Sequence, residues 1–415
     1  MSDPKKPALG FIMVTLFLDI LGIGLLIPIL PNLVKSFVEG DASQGSRYYG
    51  AFLVAYAVMQ FFFSPILGSL SDRFGRRPVL LLSTAGAGLD YLVMGFAPSL
   101  GWLFVGRIIA GITGASIATA TAYIADVTPP EKRAQNFGLV GVAFGLGFIA
   151  GPLLGGMLGA LSLRLPFFVA AGLTLANCTY GFFVLPESLA QENRRAFAWS
   201  RANPVGALIS LSRYPIVIYL FLATFFWGLS HRGLESTWVL FTGHRFGWDA
   251  RDAGVSLAAV GIAAAIVQGA LVRRVIPAVG ERRAFIGSLC LSIVAFMLYG
   301  SISDGAWVFF IIPIGALGNM AGPALQAIIS KAVPANEQGL LQGGLASVTS
   351  MTQMIGPVVA TQLFGYFISA DAPAYIPGIA FFTGVGFMFM AIAVAVAVFT
   401  RIPERSLPKA QGGSP

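Results

Sequence analysis

The sequence predicts an all-α membrane protein whose twelve transmembrane helices form two pseudo-symmetric six-helix bundles. Hydrophobic residues make up 56% of the 415 residues and charged residues only 11%, whereas soluble proteins carry about 25% charged residues. The apolar runs are far longer than the ~10-residue alternating strands of a membrane barrel. Backbone groups in lipid must be satisfied within the structure, so helices are the remaining way to cross.

The individual spans follow from the length of the apolar runs. A bilayer core about 30 Å thick requires about 20 apolar residues in a helix, and twelve segments meet this requirement. The first segment is too long for a signal-peptide core and lacks a small-residue cleavage pattern, so we interpret it as span one. Spans one to twelve are predicted at 9–31, 48–70, 78–97, 100–125, 135–160, 165–185, 215–242, 252–273, 284–303, 306–330, 338–368 and 375–400.

The distribution of Lys and Arg orients these spans. Nineteen of the 26 basic residues fall in one set of loops and five in the opposite set, while Arg107 and Arg232 fall within spans. Basic residues mark cytoplasmic loops, so we expect both termini to be cytoplasmic. The basic residues that set the topology account for the net charge of +8. We therefore expect no nucleic-acid partner.

The two halves of the chain resemble each other. PPEKRAQNFG at 129–138 aligns with PANEQGLLQG at 334–343, and the same offset superposes residues 151–152 on 356–357. The predicted organisation is a six-helix bundle (1–186), a cytoplasmic linker (187–214), a second bundle (215–402) and a cytoplasmic tail (403–415). Two parallel halves of this kind describe the major facilitator fold, in which the substrate binds between the halves at mid-membrane.

Several motifs carry a more specific resemblance. DRFGRR at 72–77 follows span two, Arg107 lies in GRIIAGITGA of span four, and GLGFIAGPLLGG at 145–156 lies in span five. They resemble the signature loop, the span-four motif and the antiporter motif of the major facilitator superfamily. Longer stretches, including DILGIGLLIPILP at 19–31 and WVLFTGHRFGW at 238–248, are similar to tetracycline/proton antiporters.

The chain also departs from those antiporters. The resemblance implies an acid in span nine and a His in span eight, where this sequence has Ser292 and Ala264. Span seven instead carries His231, Arg232 and Glu235. Either this cluster replaces the missing titrating groups, or it is a salt bridge near the headgroups; the sequence leaves both open.

Charged groups at helix depth cost a few kcal/mol and need a partner or a task. Asp19 lies near the middle of span one, and we interpret it as a proton- or cation-binding carboxylate; a buried Asp bonded to backbone or hydroxyls is the alternative. Asp90 and Arg107 reach similar depths on neighbouring helices, which predicts an ion pair, and the resemblance favours Asp90 near the substrate. His231 and Glu235 are further candidates for proton coupling.

Amide side chains complete the predicted polar lining. They can bind a polar ligand without the cost of a charge, although each can equally bond helix to helix. The candidate substrate-binding residues are Gln60, Asp90, Arg107, Gln268, Asn319 and Gln326.

The loop after span two is interpreted as a conformational latch rather than a substrate site. Topology does not explain its acid, so we expect Asp72 to bond a neighbouring Arg or the amides of a helix N-terminus. The latch residues are Gly68, Asp72, Arg73, Gly75, Arg76 and Arg77, with Asp126 as a second partner. The antiporter motif gives span five a smooth face for close packing, and its residues are Gly147, Gly151, Pro152, Gly155 and Gly156.

The motifs of enzymes are not found in the sequence. There is no phosphate-binding loop with Lys-Ser/Thr, no His-Glu-x-x-His and no metal-ligand pattern, so we expect a non-enzymatic protein without a bound cofactor or metal. The expected function is proton-coupled antiport of a small amphipathic drug, such as tetracycline with its divalent metal, by a monomer in the bacterial inner membrane. The alternative is a symporter or antiporter of a metabolite such as a sugar or organic acid.

Overall fold

The computed structural model describes residues 6–194, 211, 213–334 and 338–401. Within these residues the regular structure is helical. Eleven of the described helices are long and apolar enough to cross a membrane. The remaining predicted span corresponds to the 30-residue helix Gln338–Phe367, in which residues such as Gln353 and Thr361 interrupt the apolar sequence. The predicted all-helical membrane fold is therefore confirmed.

The chain divides into two compact units. The first contains the described residues up to 194 together with Gly247–Gly261. Most of the predicted linker (195–210 and 212), residues 335–337 of the repeat and the tail lie outside the described residues. The helices up to residue 194 are α1 Lys6–Leu26, α2 Leu30–Ser36, α3 Ala42–Phe74, α4 Arg76–Phe96, α5 Leu100–Thr113, α6 Ser116–Val127, α7 Pro130–Leu161 and α8 Leu165–Val184.

The second unit contains the described residues within Pro204–Phe246 and those from Ile262 onwards. The helix of span eight runs from Ala250 to Val279 and includes a π-helical turn at Val267–Leu271. The helices after residue 194 are α9 Pro215–Phe246, α10 Ala250–Val279, α11 Glu281–Ser301, α12 Val308–Gly318, α13 Ala321–Lys331, α14 Gln338–Phe367 and α15 Ile379–Arg401.

Spans four and ten are each broken near the middle, which the apolar sequence did not predict. In span four the helix stops at Thr113 and resumes at Ser116, and the carbonyl oxygen of Gly114 accepts a bond from Nε2 of Gln60 at 3.3 Å. In span ten the break falls at Asn319, whose carbonyl oxygen accepts from Nε2 of Gln268 at 3.5 Å. Gln60 in one half and Gln268 in the other therefore each satisfy a backbone carbonyl at a helix break, where lipid could not.

Span five packs against span one through the glycines of the antiporter motif. A Cβ added to Gly147 would lie 2.9 Å from Cβ of Ile20, and one added to Gly151 would lie 2.7 Å from Cα of Gly24. A Cβ on Gly155 would overlap the backbone of Leu25. These three glycines are four residues apart, so they form one face of α7 on which two backbones approach closely.

Candidate functional site

The first unit contains a cavity of about 200 Å³, which we call cavity one. Spans one, two, three and four line it, and its wall is mainly apolar with charged and phenolic groups inserted. The polar side chains on the wall are Asp19, Tyr49, Tyr56, Ser83, Asp90, Tyr91, Arg107, Thr113 and Ser116. Two of the predicted proton-coupling carboxylates thus share a single cavity with the predicted cation.

Asp90 and Arg107 form an ion pair in cavity one through Oδ2 and Nη2. The side chains are 2% and 12% exposed, so water screens the pair weakly. Nη2 of Arg107 also contacts Sδ of Met94 at 2.8 Å, and the guanidinium lies 5.8 Å from the ring centroid of Tyr56. A Cβ on Gly106 would lie 2.7 Å from Oδ1 of Asp90, so this glycine makes room for the pair.

Asp19 is the second carboxylate of cavity one, and the structure gives it less compensation. It is 7% exposed and accepts a hydrogen bond from the hydroxyl of Ser116. Its Oδ2 atom is buried without a hydrogen-bond partner among the described residues. Arg107 lines the same cavity but is paired with Asp90. A buried carboxylate with a free oxygen is costly when ionised, which suits a group that exchanges a proton or a cationic ligand.

The second unit contains a separate cavity of about 320 Å³, which we call cavity two. It collects the span-seven cluster, because His231, Arg232 and Glu235 all line it. Oε2 of Glu235 accepts from Nη1 of Arg232 at 2.6 Å, and the glutamate side chain is 54% exposed. The pair is thus the salt bridge that the sequence offered as one alternative.

The predicted amides are distributed unevenly between the two cavities. Asn319 and Gln268 line cavity two. Gln60 donates to the Tyr56 hydroxyl at 2.9 Å and to the helix break, so it supports the wall of cavity one from behind. Gln326 is exposed and does not line cavity two.

Span nine has a small, buried residue where the resemblance implies an acid. Ser292 is 1% exposed, and a Cβ added to Gly318 on span ten would overlap its Oγ atom. Ala264 lies four residues before Gln268, one helical turn from the wall of cavity two.

The loop after span two forms an ion-pair network at one end of the first unit. Nη1 of Arg76 donates to Oδ1 of Asp72 and to Oγ of Ser71, both at 2.6 Å. Nε of the same guanidinium donates to Oδ2 of Asp126 at 3.1 Å. Arg76 therefore joins the ends of spans two and four, with a side chain that is 13% exposed.

Glu187, just after span six, is a further member of this network that sequence reasoning missed. Its carboxylate accepts the backbone N–H of Arg76 at 2.8 Å and that of Arg77 at 3.2 Å, at the N-terminus of α4. Asp72 was expected to bond a neighbouring Arg or amides of this kind; it bonds Arg76, whereas Glu187 caps the amides. Gly75 makes this possible, since its φ is +107° and a Cβ there would overlap the carboxylate. An acid next to a span end, on the side of the basic loop, was the available signal.

The remaining loop residues contribute differently. The guanidinium of Arg73 lies 5.0 Å from the ring centroid of Phe74. Arg77 donates to the carbonyl oxygen of Phe182 and lies 5.8 Å from its ring centroid. A Cβ on Gly68 would meet nothing within 4 Å, so close packing does not require glycine there.

The second unit repeats this arrangement 205 residues later with its charges exchanged. Gly280 takes the place of Gly75, with φ +88°. Where Arg76 pairs with Asp126, the equivalent residues are Glu281 and Lys331, paired at 2.6 Å. Arg282, equivalent to Arg77, donates to the carbonyl oxygen of Phe399 and lies 4.9 Å from its ring centroid.

Three tyrosines of cavity one, Tyr49, Tyr56 and Tyr91, were also absent from the predicted site. Tyr56 lies one helical turn before Gln60 and bonds to it, which is the spacing that could have signalled it. Tyr91 packs against span one, where a Cβ on Gly22 would lie 2.7 Å from its hydroxyl oxygen. Among the described residues no group of three or more His, Cys, Asp or Glu is placed to hold a metal ion.

Comparison with known proteins adds independent findings. The model of the Major Facilitator Superfamily matches residues 12–312 and 277–415. The chain is 41% identical to the class C tetracycline resistance protein of Escherichia coli, over 90% of this chain and 94% of that protein. It is 37% identical to the class B tetracycline resistance protein of the same organism, over 92% of this chain and 94% of that protein. Multidrug resistance protein 2 of Bacillus subtilis is 28% identical over 92% and 95%.

Solved structures give the same fold. The human organic anion transporter MFSD10 superposes with a TM-score of 0.69 at 26% identity, covering 95% of this chain and all of that one. The nucleoside transporter NupG superposes with a TM-score of 0.78 at 11% identity, covering 94% and 99%. The likeness to NupG shows the fold alone.

Proposed function

The chain belongs to the Major Facilitator Superfamily, and from this premise we propose that it is a proton-coupled antiporter that exports a small amphipathic drug of the tetracycline type. Tetracycline resistance proteins match nearly its whole length. It is a multi-pass membrane protein and not an enzyme. We further propose that it works as a monomer in a bacterial inner membrane with both termini in the cytoplasm, as its basic loops indicate. Any metal ion would be part of the substrate.

The observation that carries the proposal is the pair of carboxylates in cavity one. Each has one buried oxygen without a hydrogen-bond partner, Oδ2 of Asp19 and Oδ1 of Asp90. Asp90 is paired with the Arg107 guanidinium, whereas Asp19 is bonded to the neutral hydroxyl of Ser116. Two acids in one low-dielectric cavity with one cation cannot both be ionised cheaply. Asp19 therefore carries a proton when the cavity is empty and releases it when a cationic or metal-bearing substrate enters. Competition of this kind at one site couples efflux to proton entry.

The test is tetracycline accumulation in a drug-sensitive bacterium that expresses the chain. We expect lower accumulation than in cells with empty vector, and an uncoupler should abolish the difference. Asp19→Asn should lose the uncoupler-sensitive efflux while the protein stays in the membrane. Asp371→Asn changes an exposed acid and is the matched control. Equal accumulation with and without the wild-type chain would reject tetracycline as the substrate.

A second candidate is export of an organic anion. MFSD10, whose structure is described as that of an organic anion transporter, is 26% identical. The resemblance places Ser292 and Ala264 where tetracycline antiporters carry ionisable groups, so the second unit lacks their span-nine acid, and the acid of cavity two, Glu235, is paired with Arg232. Uncoupler-sensitive efflux of a fluorescent carboxylate dye, together with unchanged tetracycline accumulation, would favour this candidate.

A further inference from the structure

The ring of His231 lies between two oxygen atoms in cavity two. Nδ1 is 3.3 Å from the carbonyl oxygen of Trp227, and Nε2 is 2.9 Å from Oδ1 of Asn319. A neutral imidazole has one N–H donor and one lone pair. It can therefore satisfy only one of these oxygens and points a lone pair at the other. The imidazolium form donates to both.

The amide of Asn319 offers a second arrangement. A 180° turn of the amide exchanges its oxygen and nitrogen at nearly the same positions. Nδ2–H of Asn319 would then donate to the lone pair on Nε2 of a neutral ring, while Nδ1–H continues to donate to the Trp227 carbonyl. Each protonation state of His231 thus matches one orientation of one amide.

The Asn319 side chain that would turn in this way belongs to a residue at the helix break of span ten. It falls between Val308–Gly318 and Ala321–Lys331, at the helix break, and its carbonyl oxygen accepts from Gln268 of the π-helical turn. Its side chain and its backbone therefore connect span seven, span eight and the broken span ten.

We propose that Asn319 is a positioning residue that senses the protonation state of His231 and transmits it to the break in span ten. The inference rests on the proposed proton-coupled function. When the ring loses the proton on Nε2 to water in cavity two, the electron pair stays on Nε2 and the Asn319 amide turns to donate to it. Protonation reverses the turn.

On the described wall of cavity two, His231 is the titratable group that can gain or lose a proton without breaking an ion pair. The charged residues on the described wall of cavity two are Arg232 and Glu235, both on the same helix and paired with each other. The polar groups that other helices contribute to this wall are amides and hydroxyls: Gln268, Asn319, Thr349 and Thr352.

The test uses ¹⁵N-histidine NMR on the purified full-length protein in lipid nanodiscs. The chain has two histidines, so in the His244→Gln variant every histidine signal comes from His231. In that background, Asn319→Leu removes the oxygen that accepts from the imidazolium. We expect the pH at which half of the ring is protonated to fall by about one unit, a tenfold change in the protonation constant. Asn319→Asp should move it the opposite way.

Gln326→Leu is the matched control, because Gln326 is an exposed amide on the same span that does not line cavity two. Its His231 titration should equal that of the parent. An unchanged titration in both Asn319→Leu and Asn319→Asp would overturn the proposal. The proposal would also be overturned if the spectrum of His231 showed, at every pH, a neutral ring that carries its proton on Nε2.

Transport supplies a second readout that separates this proposal from the proposed function. With tetracycline and Mg²⁺ as the probe, the pH profile of efflux should shift with the same sign as the NMR titration. If tetracycline is not transported but the titration shifts, only the proposed substrate fails. If transport occurs with an identical pH profile in wild type, Asn319→Leu and Asn319→Asp, the coupling role of Asn319 is wrong.

Discussion

Gly75→Ala tests the contact between Glu187 and the start of α4. The substitution has two costs that the structure separates. The backbone at Gly75 has φ +107°, a conformation that L residues rarely adopt, and the new methyl group would overlap the Glu187 carboxylate. Gly280 in the second unit has φ +88°, but a Cβ there meets nothing within 4 Å. Gly280→Ala therefore pays the backbone cost alone.

The expected magnitudes follow from these contacts. Backbone strain of this kind costs about 1–3 kcal/mol. Displacing Glu187 puts at risk its bonds to the N–H groups of Arg76 and Arg77, and hydrogen bonds to charged groups contribute about 1.5–3 kcal/mol each. Loss of one such bond makes Gly75→Ala less stable than Gly280→Ala by about 2 kcal/mol.

The measurement is the free energy of unfolding in mixed detergent–SDS micelles for the wild type and three variants. Gly68→Ala is the third, since glycine within a helix costs about 1 kcal/mol relative to alanine and a Cβ at Gly68 meets nothing within 4 Å. We expect it to be neutral or stabilising. Equal losses in Gly75→Ala and Gly280→Ala would refute the role given to Glu187.

Three further predictions concern other contacts. Asp90→Asn should destabilise the protein by about 3–5 kcal/mol because it leaves Arg107 buried without its counter-charge, and Asp90→Asn/Arg107→Met should recover stability without transport, as measured by unfolding and by drug accumulation. Glu281→Lys should lower the unfolding midpoint slightly, and Glu281→Lys/Lys331→Glu should restore it, because the reversed pair can form again; a double variant no better than the single one would contradict the pairing. Gly151→Ala should lower expression and the unfolding midpoint, since its methyl group would lie 2.7 Å from the backbone of span one; Gly145→Ala, where a Cβ meets nothing within 4 Å, is its control.

The membrane fold was predictable because its causes are local and additive. A run of about 20 apolar residues is enough to predict each span. The motifs that carry the family resemblance are runs of contiguous residues, so they can be recognised without knowing the fold. Asp90 and Arg107 could be placed at one depth because both are the same distance from a short turn. Such arguments need only the position of a residue along its own helix.

The features that sequence reasoning missed depend on contacts between distant segments. Glu187 caps a helix that begins 111 residues earlier. Its place beside a span end was the local signal, but the partner could not be read from it. The helix breaks at Gly114 and Asn319 lie in apolar sequence, and they are stable because a glutamine on another span bonds the freed carbonyl.

The exchanged charges of the two repeated ion pairs also bear on how the chain folds. Duplicated halves with similar sequences can pair a helix with the wrong copy of its partner during membrane insertion. If span three met span ten, Arg76 would face Lys331; if span nine met span four, Glu281 would face Asp126. Both mistakes place like charges together, whereas each correct pairing forms a salt bridge. The inversion thus lets each half recognise its own helices while it assembles.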